Sequence, residues 1–228
     1  SSDGQTLCLP IRAIEKGAEK MFPPAVIFDF DGVIVDTEPI HYQAFQRILE
    51  PLGLGYSWKT YQEIYMGYDD RDAFKEAFRV GNRSLDDAQM RHYIEQKALL
   101  FENIVTSGVP PYPGVIELIR KLADQSIPLA ICSGALRRDI LPILHQFDIT
   151  SYFISIITAE DVPQSKPHPA SYLQAKAALI SAYKQLESVS TTITAVEDTP
   201  AGIISAKRAG LQVVAVTNSY EAEKLKQA

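Results

Sequence analysis

Short apolar runs that alternate with helical stretches, each run ending in polar residues, constrain this chain more than any other feature. Ala25–Phe30, IPLAICS (Ile127–Ser133), FISIITA (Phe153–Ala159), TTITAVED (Thr191–Asp198) and LQVVAVT (Leu211–Thr217) are nearly continuous in apolar character. That is the pattern of strands buried on both faces. Between the last four lie the helical patterns ALRRDILPILHQF, PASYLQAKAALISAY and AGIISAKRAG. Strands and helices in alternation predict right-handed crossovers and an α/β fold, a parallel sheet covered by helices on both faces.

The rhythm breaks once. From Pro39 to about Pro110 the chain carries helical patterns alone: HYQAFQRILEPLG, YQEIYMG, DDRDAFKEAF and SLDDAQMRHYIEQKALLFENIV. The proline and glycine cluster of PPYPG then marks re-entry. The expected organisation is therefore a core of residues 23–38 and 110–228, with an all-helical insertion over 39–109. Residues 1–22 precede the first strand pattern, have no signal-peptide core, and are expected to form an extension outside the fold.

In an open parallel sheet, ligands bind beyond the carboxyl ends of the strands. There this sequence places Asp29 and Asp31, Ser133 and Gly134, Lys166, and Glu197 with Asp198. A carboxylate at the end of an apolar run costs several kcal/mol unless something pairs with it. The net charge of −6 and the absence of any Lys/Arg cluster argue against a nucleic-acid partner. No apolar run reaches the length of a membrane span. Two cysteines, Cys8 and Cys132, form neither a disulfide framework nor a metal spacing, which suits a reducing, cytoplasmic setting.

Three carboxylates make a hard-oxygen site suited to Mg²⁺, which binds through a few carboxylates together with a substrate phosphate. Hydroxyl, amide and ammonium donors around Ser133, Gly134 and Lys166 are suited to phosphate oxygens. A carboxylate nucleophile and a neighbouring general acid would complete a phosphoryl-transfer set. Each group also has an ordinary reading: Asp29-Phe30-Asp31-Gly32 as an Asx turn, Lys166 as a solvated loop lysine, Asp198 as the N-cap of the helix that follows. Only their joint arrangement at successive strand ends points to chemistry.

DFDGVIVDTE, ICSGA, SKPHP and VEDTPAGI, in this order, resemble the four motifs of the haloacid dehalogenase superfamily of phosphatases, over roughly Val26–Thr217. The resemblance implies a Rossmann-like core and reads the insertion as the family's helical cap. It implies Asp29 as nucleophile and Asp31 as general acid/base. Mg²⁺ would be held by the Asp29 carboxylate, the Asp31 carbonyl and Asp198, with Glu197 as ligand or supporting group. Ser133, Gly32 and Gly134 would serve the phosphoryl group, Lys166 would offset charge, and Thr37 would contact the acid/base residue or the hinge. In the segment YMGYDDRDAF the resemblance implies Gly67 as a turn and Arg71 as a substrate contact.

Asp31 favours phosphoryl transfer over dehalogenation, since a halide leaving group needs no proton. The implied activity is Mg²⁺-dependent hydrolysis of a small phosphomonoester, a sugar phosphate or phosphoglycolate-like acid, by a monomer or weak homodimer. A β-phosphoglucomutase-type mutase is the nearest rival; this chain has Leu136 and Arg137 where the mutase holds its second phosphate, and Arg137 remains a candidate phosphate ligand. An inactive binding module is the alternative of another class. His41 is expected on a solvated helix surface, Cys132 as a small buried hydrophobe, and Tyr42, Phe45, Tyr61, Tyr65, Phe74 and Phe78 as core of the insertion.

Overall fold

The computed structural model describes residues 22–66, 68–105 and 108–228, and the backbone of Leu7–Cys8. After β1 (Leu7–Cys8) and β2 (Val26–Phe28) come four helices: α1 (Glu38–Leu49), α2 (Trp58–Thr60), α3 (Asp70–Val80) and α4 (Asp87–Val105). Then α5 (Val115–Asp124), β3 (Leu129–Cys132), α6 (Arg137–Gln146), β4 (Phe153–Ile157) and α7 (Ala170–Ala182) follow. The chain closes with β5 (Thr194–Glu197), α8 (Pro200–Arg208), β6 (Gln212–Ala215) and α9 (Ala222–Lys226).

The strands form one sheet in the order β1-β6-β5-β2-β3-β4, and every pairing is parallel. All residues of β2, β3 and β5 are buried, as the continuous apolar runs require of strands covered on both faces. Tyr172, Ala175 and Leu179 of α7 and Ile203 and Ala206 of α8 join Ile27, Ala130, Cys132 and Ala195 in one apolar cluster. The burial of Cys132 holds its thiol up at about 12, chiefly by desolvation, so it behaves as a small hydrophobe.

Two departures from expectation concern boundaries. Leu7–Cys8 is not outside the fold: it pairs in parallel with Val214 and Ala215 as an edge strand. The outer edge of β6 offers unpaired backbone groups, and a short upstream segment satisfies some of them. The rest of the expected extension, residues 1–6 and 9–21, lies outside the described residues. The chain separates into two compact units, one of Ser1–Asp36 with Pro110–Ala228 and one of Thr37–Val109. Thr37 belongs with the helices because its carbonyl accepts the amides of Ile40 and His41 and so opens α1.

The Thr37–Val109 unit is helical throughout its described residues, apart from its turns. Phe45, Tyr61, Tyr65, Phe74 and Phe78 are buried in it, with Phe45 and Phe74 edge-to-face at 5.2 Å. Residues 61–65 form a π-helical turn closed by the Met66 amide on the Tyr61 carbonyl; Gly67 lies outside the described residues. His41 is not on a solvated surface. It is buried, stacked on Phe101 at 4.4 Å, with Nδ1 2.7 Å from the Nζ of buried Lys97. Lys97 is paired in turn with Asp70 Oδ1 at 2.9 Å. The reason is periodicity: His41, Ala44, Phe45 and Ile48 share the i, i+3, i+4, i+7 face that α1 buries.

Candidate active site

β2 ends at Phe28, and the next amide, of Asp29, donates to Val196 of β5. The chain then turns tightly, with Ile34 donating to the Phe30 carbonyl and Gly32 to that of Val35. Gly32 has φ +76°, and a Cβ there would stand 1.8 Å from Asp198 Oδ2. Glycine is thus required twice, for its backbone conformation and for the space the carboxylate occupies.

Lys166 links three strand ends. Its Nζ lies 3.0 Å from Asp29 Oδ1, 2.6 Å from Glu197 Oε1 and 3.0 Å from the carbonyl of Cys132. Asp29 is buried, and Glu197 and Asp198 are fully inaccessible. Burial first, then the neighbouring Glu197, hold the Asp29 carboxyl well above the usual range, against the opposing pull of Lys166. Burial alone would lower the Lys166 ammonium, but Asp29 and Glu197 outweigh it and hold Lys166 charged. One ammonium therefore serves a crowded group of acids.

Glu197 is the most fully bonded of them. Oε1 accepts from Lys166 and from the Tyr172 hydroxyl at 2.7 Å; Oε2 accepts from the amides of Asp198 and Thr199 and from the Thr199 hydroxyl. A Cβ on Gly202 would lie 1.9 Å from the Glu197 carboxyl carbon, so the first turn of α8 must carry glycine there. Thr199, rather than Asp198, caps α8, its hydroxyl accepting the Gly202 amide at 3.0 Å. Thr199 has the extended backbone of an N-cap and is followed by Pro200 at the first helical position, so the capping reading of Asp198 does not apply.

Ser133 follows β3. Its hydroxyl accepts the Ala135 amide at 3.0 Å and reaches toward Asp31 Oδ2 at 3.4 Å. Asp29, Asp31, Gly32, Ser133, Lys166, Glu197 and Asp198 are thereby brought together in one unit. A Cβ on Gly134 would meet nothing within 4 Å, so space does not demand glycine at that position. Arg137 is committed elsewhere: its Nη2 donates to Asp161 Oδ2 at 2.7 Å and to the Ile156 carbonyl at 2.9 Å. Thr37 and Arg71 lie in the helical unit, where Thr37 is fully buried and Arg71 grips Asp69 Oδ2 through Nε and Nη2 at 3.1 and 2.8 Å.

Carboxylate oxygens of Asp29, Glu197 and Asp198 lie within 4.8 Å of one another. Hard oxygen donors, buried and short of positive charge, fit a divalent cation such as Mg²⁺, which would lower the Asp29 pKa that burial and then Glu197 raise. Sequence reasoning missed Tyr172 and Thr199, which hold Glu197, and Lys97. Thr199 was legible as a polar residue just ahead of Pro200; Tyr172 carried no signal beyond its place on an apolar helix face.

The fold and site together define an α/β protein whose parallel sheet gathers buried carboxylates at its strand ends. The family model described as haloacid dehalogenase-like hydrolase matches residues 26–216, and the chain belongs to that family. It is 30% identical over 191 residues to a phosphorylated carbohydrates phosphatase of Thermotoga maritima, covering 82% of each chain. It is 27% identical to a phosphoglycolate phosphatase of Pseudomonas fluorescens, over 91% of this chain and 74% of that one. Among solved structures, CbbY of Rhodobacter sphaeroides in complex with phosphate superposes with a TM-score of 0.77 at 21% identity, covering 90% of this chain and 91% of that chain. The β-phosphoglucomutase of Clostridium difficile gives the same TM-score at 24% identity, with 91% and 89% covered. These two likenesses establish the shared fold.

Proposed function

We propose that this chain, a phosphatase of the haloacid dehalogenase-like hydrolases, hydrolyses small phosphomonoesters of the sugar phosphate or phosphoglycolate type through a covalent aspartyl-phosphate. The observation that carries the reading is the buried convergence of Asp29, Lys166, Glu197 and Asp198 at parallel strand ends. Such a set is expensive to maintain as structure alone, since buried ion pairs are often no better for stability than apolar residues of the same volume.

In this reading an Asp29 oxygen attacks phosphorus while the bond to the alcohol oxygen breaks. Asp31, two residues on, gives its proton to the departing alcohol. Asp31 then takes a proton from water as that water attacks phosphorus, releasing phosphate and restoring Asp29. Lys166 keeps Asp29 placed and offsets phosphate charge, and Ser133 and the Gly134 amide donate to the phosphoryl oxygens. Asp29, the Asp31 carbonyl and Asp198 would hold Mg²⁺; bound there, it would neutralise charge developing on the phosphoryl oxygens. With its oxygens already taken by Lys166, Tyr172 and the Thr199 region, Glu197 is assigned to positioning Lys166 in preference to binding the ion. On the family pattern alone, Thr37 is assigned to the acid/base residue or the hinge and Arg71 to the substrate.

The state of Arg137 supports hydrolysis over the mutase reaction, because a guanidinium engaged by Asp161 and the Ile156 carbonyl is a poor receptor for a second phosphate. Supplied with β-glucose 1-phosphate and Mg²⁺, the protein is expected to release glucose and inorganic phosphate; accumulation of glucose 6-phosphate would replace the hydrolase reading with the mutase. A panel of about fifty phosphate esters ranked by kcat/KM then identifies the alcohol. No release of phosphate from any of them in Mg²⁺ would favour the binding-module reading.

Arg137→Ala provides a second check. The pair it removes is half-exposed, so the expected cost is about 1 kcal/mol of stability or less, with kcat/KM essentially unchanged. A large rise in KM with kcat preserved would return Arg137 to the phosphate site.

A further inference from the structure

The loop after β6 reaches the two segments on which the proposed ion site depends. The Ser219 hydroxyl is hydrogen-bonded to Asp198 Oδ2. The side-chain amide of Asn218, the adjacent residue, donates to the Gly32 carbonyl at 2.6 Å. Ser219 Oγ is also among the atoms that a Cβ on Gly32 would strike, at 2.8 Å. Gly32, Asp198 and Ser219 are therefore packed around one point, and only a residue without a side chain leaves room for the other two. The loop is itself anchored, because the Val216 amide donates to the Glu197 carbonyl at 2.8 Å.

We infer that Asn218 and Ser219 form a fifth contributing strand end whose role is to position the ion-binding groups. Ser219 fixes the rotation of the Asp198 carboxylate by holding one named oxygen. Asn218 holds the turn that follows Asp31, and so the direction of the Asp31 carbonyl. Neither side chain is placed on the substrate or on the reacting atoms, so both are positioning residues. Carboxylate ligands are commonly oriented by such outer hydrogen bonds, and removing them typically costs 10- to 100-fold in metal affinity or activity. A single two-residue loop here orients groups from two different strand ends, which makes the ion site sensitive to a segment nearly two hundred residues from Asp29 in sequence.

The inference rests on the proposed divalent-cation site, and direct cation binding separates failure of the one from failure of the other. Mn²⁺ binding to the metal-stripped full chain is measured by electron paramagnetic resonance, with Asp198→Asn as reference. Wild type is expected to bind one ion, Asp198→Asn to lose it, Ser219→Ala to bind about tenfold more weakly, and Ser219→Thr to recover affinity. Asn218→Ala is expected to weaken binding in the same direction. Ser219→Ala should also raise the Mg²⁺ concentration needed for half-maximal activity while kcat at saturating Mg²⁺ and KM for the ester stay near wild type. If wild type binds Mn²⁺ and Ser219→Ala and Asn218→Ala bind it equally well, the positioning role is overturned. If wild type itself binds no Mn²⁺, the ion site fails and the inference falls with it. Melting temperatures without metal within a few degrees of wild type guard against misfolding; should Ser219→Ala melt lower, Asn218→Ala and Ser219→Thr decide.

Discussion

Asp29→Asn is expected to lower kcat for any accepted ester by at least about 10⁴-fold, the scale at which nucleophile removal abolishes covalent catalysis. The amide matches the carboxylate in size but is a far weaker nucleophile. Folding should survive. In the metal-free protein the folded state holds the Asp29 proton more tightly than an unfolded chain does, because burial and Glu197 raise its pKa. Ionisation therefore costs stability as pH rises above the unfolded value of about 3.9, and a neutral amide escapes that cost. Measured in EDTA at neutral pH, the variant should melt no lower than wild type. Phosphate-release kinetics over the ester panel provide the test: turnover within tenfold of wild type would remove Asp29 from the nucleophile's role.

Lys166→Met is expected to abolish activity and, unlike Asp29→Asn, to destabilise the fold. Lys166 is the ammonium between Asp29 and Glu197, and its removal leaves two buried carboxylates facing each other with no counter-charge. Breaking a buried pair from one side typically costs about 3–5 kcal/mol, which for a chain of this size lowers Tm by roughly 10 °C. The pH dependence has a definite sign. The folded-state pKa of Lys166 lies above its ordinary value, so its contribution is fully present at neutral pH and is lost only as pH rises through that higher value. In the methionine variant the stranded acids can be relieved by protonation, so the gap in Tm should narrow toward pH 5. Thermal unfolding of both proteins at pH 5 and pH 7.5 reads this directly, and a loss of less than about 2 °C at pH 7.5 would mean that the acids are not held by Lys166.

These two outcomes divide the site into groups of different legibility. Asp29 and Asp31 stand out in the sequence because carboxylates at the end of a buried apolar run are anomalous, and an anomaly needs only the local pattern to be seen. Lys166 was readable as a member of a series but not as a linker, since the sequence does not say that one ammonium lies within 3.0 Å of both Asp29 and Glu197. Arg137 shows the opposite case: the resemblance to the mutase made it a candidate phosphate ligand, and the sequence gives no sign that its guanidinium pairs with Asp161, 24 residues away in the chain. His41 is legible in principle, because it shares the buried face of α1 with Phe45 and Ile48, although an imidazole is polar enough to suit a solvated face as well. Lys97 was not legible, as a lysine on a helix is ordinarily exposed, and its pairing with Asp70 and His41 and its place over the Phe45 and Phe101 rings make burial tolerable.

What the amino-acid sequence determined by itself was the class of fold, the helical insertion and the order of the strand ends. These follow from local periodicity, from breakers and from the rule that parallel strands present their carboxyl ends together. Tertiary structure alone decided how the charges are shared: that Lys166 serves both Asp29 and Glu197, that Glu197 is saturated by Tyr172 and Thr199, and that Gly32 is small because Asp198 and Ser219 occupy the space beside it. Hydrogen bonds and ion pairs act over about 3 Å, whereas Asn218 and Gly32, which share one in the site, are separated by 186 positions in the chain. Only folding brings them within that range.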